Sequence, residues 1–216
     1  MEDNKAQKIT GWEYLVFFLG AGAYVPIMIG GWQHPAEINL ATYSLWFILC
    51  SLIAYSSWKR RYAGWFMPLG WVFGQGMIIT TAFLRGGYTF NLGQEEIIVF
   101  YGIIITLSLW GTLGQLTGKW DPRILYLGSI LADMLSFYPQ IKQYLLPHEP
   151  ATIWLTLGWS IFIIDILVNL LLVEHLPEKL LASRAKPKEI LHILEHSLLS
   201  IENLFFLTLS LVLMLQ

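Results

Sequence analysis

The sequence predicts an all-α integral membrane protein that crosses the bilayer seven times. Three observations predict it. Of 216 residues, 56% are apolar and only 13% charged, against about a quarter charged in soluble globular domains. Apolar runs of spanning length recur seven times, at 11–31, 38–58, 63–84, 97–118, 124–145, 151–173 and 197–215, and a helix needs roughly 20 such residues to cross a hydrocarbon core of about 30 Å. The positive residues, finally, fall almost entirely in alternate loops. The runs are too long for the segments of about ten alternating residues that build an outer-membrane barrel.

The elements follow in order. Residues 1–10 read as a cytoplasmic tail in which Lys5 and Lys8 balance Glu2 and Asp3, and no small-x-small cleavage pattern follows, so run 11–31 is expected to be a true span and not a cleaved signal. The second run holds Cys50, the chain's one cysteine, which rules out an intrachain disulfide and a cysteine metal cluster. Trp12, Trp32, Trp58, Trp65, Trp120 and Trp154 fall near run ends, where amphipathic rings prefer the headgroup zone. Trp46, Trp71, Trp110 and Trp159 lie deeper and are expected to pack or to stack on a solute ring.

With seven spans, the amino-terminal tail and the second, fourth and sixth loops share one face. That face holds Lys5, Lys8, Lys59, Arg60, Arg61, Lys119, Arg123, Lys179, Arg184, Lys186 and Lys188, which is 11 of the 13 Lys and Arg residues, while Arg85 and Lys142 lie on the other. The positive-inside rule then places the amino terminus in the cytoplasm and the carboxyl terminus outside.

Laid on itself at an offset of 113 residues, the chain matches Tyr24 with Phe137, Pro26 with Pro139, Leu40 with Ile153, Trp46 with Trp159, Ile48 with Ile161 and Ile53 with Ile166. The register implies two three-helix bundles (3+1+3): a first bundle over 11–84, a connecting helix over 97–118 and a second bundle over 124–215, both in the same orientation. A proline inside a span leaves a carbonyl without its donor and loosens the helix. Pro26, preceded by Gly20 and Gly22, and Pro139 with its neighbour Gln140 are candidate hinges.

The segment Phe137-Tyr138-Pro139-Gln140-Ile141, preceded by Asp133 and Ser136 and followed by the helix of Trp154 and Trp159, resembles the Pro-Gln loop motif of the PQ-loop, SWEET-like transporter superfamily. The match is densest over 127–169. The resemblance implies solute bound between the two bundles and passed by alternating access. Asn203 resembles the seventh-helix asparagine of SWEET carriers, for which the partner in the third run would be Gln75.

Intramembrane acids point to a site, because a charge near the bilayer centre costs about 2.5 to 3.5 kcal/mol on insertion scales. Asp133, Asp165 and Glu202 lie in the fifth, sixth and seventh runs and are the proton-coupling candidates. Eleven residues bring a helix back to nearly the same azimuth, so Trp154, Asp165 and Asn169 share about one face. The substrate-binding candidates are therefore Trp159, Asp165, Asn169, Glu202, Asn203 and Gln75. The plainer reading is that these groups bond to one another and hold the bundle together.

A second reading rests on His192-Ile193-Leu194-Glu195-His196, whose i, i+4 imidazoles flanking a carboxylate have zinc-ligand spacing. It implies a seven-helix zinc-dependent membrane hydrolase, with His175 as a further ligand. No histidine lies in the second or third run, where such hydrolases place a ligand. The final lysine, Lys188, precedes the last run, which argues against a retinal protein, and no phosphate-binding loop is present. The first expectation is thus a carrier of a small polar solute such as a sugar, amino acid or nucleoside. Its partners are the lipid bilayer and that solute, with no cofactor and no nucleic acid; proton coupling, facilitated diffusion and a homo-oligomer are all compatible with the sequence.

Cysteine tags at Gln33 and Ala182 should label from opposite sides of the membrane, with Ala182 cytoplasmic. The first loop carries no Lys or Arg and the sixth carries four. Labelling from one side would remove both the span count and the orientation.

Overall fold

The computed structural model describes residues 10–35, 38–60, 65–88, 93–117 and 153–173, with 90, 128, 129, 132, 175, 204 and 208 as isolated positions. Helix α1 spans Gly11–Gln33, α2 Leu40–Arg60, α3 Phe66–Arg85, α4 Gln94–Thr117 and α5 Ile153–Val168, with α5 running on into a π turn, Asn169–Val173. Four stretches are long and apolar enough to cross a membrane: Gly11–Gln33, Leu40–Trp58, Phe66–Arg85 and Ile153–Val173. Gly128, Ser129 and Ala132 in the fifth apolar run, and Leu204 and Thr208 in the seventh, are also helical. The remainder of those two runs lies outside the described residues.

Local chemistry sets the helix ends. Thr10 and Glu13 form a capping box: the Glu13 carboxylate accepts from the Thr10 amide at 2.7 Å, and the Thr10 hydroxyl accepts from the Glu13 amide at 3.4 Å. The Asn39 side chain accepts from the Ala41 amide at 3.1 Å and so starts α2. Pro68 lies in the first turn of α3, where a missing N–H costs nothing. The same helix stops at Gly86, whose φ of 68° favours glycine. Helix α4 begins at Gln94, three residues before the apolar run.

Within the helices, hydroxyls turn back onto their own backbone. Ser51 donates to the Phe47 carbonyl, Ser56 to Leu52, Thr80 to Gly76, Thr106 to Gly102 and Ser160 to Thr156, at 2.6 to 2.8 Å. This pairs each hydroxyl within its own helix.

Helix α1 lies between α3 and α5, and α3 lies between α1 and α2. Phe17, Gly20 and Tyr24 of α1 meet Gly70, Trp71 and Gly74 of α3 in that order, so these two helices run parallel. Ile27 and Ala23 meet Gly158 while Gly20 meets Asp165, so α5 runs antiparallel to α1. Phe47 and Cys50 of α2 lie on Gly76 and Gln75, antiparallel to α3.

Glycines make these crossings possible. A Cβ at Gly70 would fall 2.5 Å from the Phe17 carbonyl oxygen, and one at Gly74 would collide with the Tyr24 ring. A Cβ at Gly158 would collide with Ile27 and lie 2.8 Å from the Ala23 oxygen. Gly70-x-x-x-Gly74 is thus a small-xxx-small seam on which α1 packs within backbone contact. On the far side of α1, Trp12, Phe18 and Trp32 are exposed, as lipid-facing and interfacial residues should be.

Substituting Ala at Gly158 should destabilise the protein by about 1 to 3 kcal/mol, because the added methyl has backbone against it. The same change at Gly102, which has open space around it, should be neutral or mildly stabilising. Thermal unfolding in detergent separates the two, and equal effects would refute the close crossing of α1 and α5 at Gly158.

Candidate functional site

Two buried polar side chains, Gln75 and Asp165, lie where α1, α2, α3 and α5 meet. Trp71 and Gln75 are four residues apart on α3 and therefore share a face. Trp71 donates its indole N–H to Asp165 Oδ2 at 2.9 Å. Gln75 Nε2 donates to the Tyr24 hydroxyl at 3.0 Å and to Cys50 Sγ at 3.5 Å. Asp165 is 0% exposed and Gln75 1%. Asp165 Oδ1 and Gln75 Oε1 have no hydrogen-bond partner among the described residues.

Further rings pack on the aromatic partners of both groups. Trp71 lies 5.0 Å from Phe162 at an interplanar angle of 35°, and Phe162 packs edge-on against Trp159 at 5.7 Å. Around Gln75, Tyr24 meets Tyr43 at 6.2 Å, and Tyr43 meets Trp46 at 5.3 Å. Helix α1 closes the junction from above: a Cβ at Gly20 would lie 2.9 Å from Trp71 Cδ1 and 3.0 Å from Asp165 Oδ2. Only a glycine lets the α1 backbone pass over the bonded pair.

Of the sequence candidates, Trp159, Asp165 and Asn169 lie on one buried face of α5 with Gly158, Phe162 and Ile166. Trp154, placed on that face by its spacing, is only half-buried. Asn169 opens the π turn, a local distortion frequent at functional sites. Gln75 reaches the same junction from α3. Pro26 is buried inside α1, and the helix continues unbroken across it. His175 is exposed just beyond the π turn, with a φ of 53°. Asp133, Pro139, Gln140, His192, Glu195, His196, Glu202 and Asn203 lie outside the described residues. Among the described residues no three His, Cys, Asp or Glu side chains group as a metal site.

The tryptophans divide largely as their positions suggest. Trp12, Trp32 and Trp58 are about half exposed, and Trp46, Trp71 and Trp159 are buried. Trp110, although deep in its run, is 48% exposed and faces away from the described core.

Sequence reasoning passed over Trp71, Tyr24 and Cys50 as site residues, and Glu13 as a buried acid. The Thr10-x-x-Glu13 box and the Gly70-x-x-x-Gly74 spacing were signals for two of these features. No spacing rule links Trp71 to a partner 94 residues away.

Two features lie apart from the junction. An open, largely apolar groove of about 550 Å³ runs along α3, lined by Met28, Phe47, Phe73, Gly76, Met77 and Thr80, and contains none of the polar candidates. At the carboxyl ends of α1 and α3, Arg85 donates to the Trp32 carbonyl at 3.2 Å and lies 5.8 Å over the Trp32 ring, capping α1. Nearby, burial pushes the Tyr88 phenol above its ordinary range, with Arg85 partly opposing the shift.

Comparison of the chain with protein-family models, curated proteins and solved structures found no match. The functional reading therefore rests on the residues themselves.

A double-mutant cycle on Trp71→Phe and Asp165→Asn should give a coupling energy of about 0.6 to 1.7 kcal/mol, the range of interhelical hydrogen bonds in membranes. Trp71→Phe alone should cost more, about 1 to 3 kcal/mol, because it strips the donor from a buried carboxyl group. A coupling of zero would mean that the pair is not bonded in the membrane.

Proposed function

We propose that this protein is a membrane transporter that moves a small polar solute by alternating access between two three-helix bundles. The observation that carries the reading is the Trp71–Asp165 hydrogen bond, which joins a helix of the first half to a helix of the second around a fully buried acid. An acid that is expensive to hold in a membrane and lies at the seam between two repeats is where a carrier binds and couples.

The internal repeat supports it further. Trp46 and Trp159 are both buried, and Ile53 and Ile166 are both fully buried. Ala132 of the fifth run packs with Leu45 and Leu49 of α2. A shift of 113 residues carries Ala132 onto Leu19 of α1, and Leu45 and Leu49 onto Gly158 and Phe162 of α5. The contact between the fifth run and α2 is thus the counterpart of the contact between α1 and α5. Two repeats in the same orientation, related by a pseudo-two-fold axis along the membrane normal, pair their helices in this way.

In this reading α1 and α5 form the seam that opens. Gly20 and Gly158 let it close without clearance, and Pro26 lets α1 bend. Asp165 is the group through which a proton would be coupled.

The test is Asp165→Asn in proteoliposomes offered labelled sugars, amino acids and nucleosides. The amide keeps the shape and still accepts from Trp71 but cannot change charge. Uphill accumulation should be lost while exchange down a gradient persists. If transport, affinity and pH response are all unchanged and only thermal stability falls, Asp165 is structural and the site is misplaced.

A further inference from the structure

Charge balance at the junction identifies the class of solute, given the transport reading above. Asp165 receives one hydrogen bond, from the neutral indole of Trp71, and its second oxygen has no partner among the described residues. The one Lys or Arg whose side chain is described, Arg85, is exposed at the end of α3. One turn along the same face of α3, Gln75 turns its amide N–H groups to Tyr24 and Cys50 and leaves its carbonyl oxygen without a donor. Among the described residues, the junction therefore holds two buried acceptors without donors, one of them on an acid with no cation beside it. Both deficits are costly in a dry interior.

The walls select among cations. The indole that bonds the acid, Trp71, is packed on Phe162, and the phenol that bonds the amide, Tyr24, is packed on Tyr43. Aromatic faces attract organic cations that have shed water. A hydrated inorganic ion instead asks for several oxygen ligands. We infer that the junction binds a small organic ammonium group, its N–H donors directed to Asp165 Oδ1 and Gln75 Oε1 and its carbon chain lying against the rings. Carboxylates and phosphates lack both the charge and the donors that this arrangement requires. Entry follows separation of α1 from α5, because Gly20 covers the pair when the seam is closed.

The test uses the full chain in detergent at fixed pH and ionic strength, with n-butylammonium chloride, 1-butanol and sodium chloride as probes. Butylammonium should raise Tm by about 3 °C or more, in a saturable way, because it binds the folded state alone. Butanol and sodium chloride at equal concentration should not. The rise should vanish in Asp165→Asn with helical circular dichroism retained, and should weaken several-fold in Phe162→Leu, which keeps the carboxyl group should the first variant fail to fold. An equal rise with sodium would replace the ammonium by an inorganic ion, an equal rise with butanol would make the effect solvation, and no rise at all would mean that the acid is neutral without a ligand. Each result overturns the inference. Flux separates it from the transport reading: Asp165-dependent movement of a neutral solute with no ammonium effect on Tm sinks the inference alone, whereas Asp165-dependent ammonium binding with no flux of any solute sinks the transport reading alone.

Discussion

The hydrogen bond from Trp71 to Asp165 constrains more of this structure than any other single contact. A carboxyl group at membrane depth needs a donor, and the indole N–H of Trp71 supplies one at 2.9 Å. The bond forms only if α3 and α5 converge, and α1 lies between them. Helix α1 must then thin to backbone at Gly20, which it does. The same demand extends along the helix: Gly70 and Gly74 admit α1 to α3, and Gly158 admits it to α5. One polar requirement thus dictates where four glycines stand.

Glycine contacts and ring packing, more than apolar burial, hold the remainder together. Lipid is as apolar as leucine, so burying leucine between helices contributes little, and close packing with interhelical hydrogen bonds takes its place. The core reflects this. Its largest side chains are aromatic, and Gln75 and Asp165 each bond to one of them. In the carrier reading proposed above, separation of α1 from α5 would be the step that exposes Asp165.

Much of the helical framework was legible from runs of apolar residues. Runs 11–31, 38–58, 63–84, 97–118 and 151–173 correspond to α1 to α5, the last together with its π turn, with shifts of up to three residues at their starts and ends, and the start of α2 has a local cause in the Asn39 cap. The candidate face of α5 was legible too, because Trp159, Asp165 and Asn169 are unusual residues in an apolar run and helical spacing groups them. Their partners were not. A membrane helix is apolar on every side, so periodicity does not tell the packed face of α1 from the lipid face, and Trp71 looks in sequence like any other deep tryptophan.

By itself, the sequence determined the solvent of this protein, the lengths of its helices and the presence of an acid that lipid would reject, since composition and run length respond directly to the bilayer. The tertiary structure decided which tryptophan meets that acid, that the meeting joins α3 to α5, and that the glycines of α1, α3 and α5 stand where helices cross. The reason is geometric. A hydrogen bond between residues 94 positions apart depends on the angle and depth at which helices pack, and no local pattern along the chain encodes that.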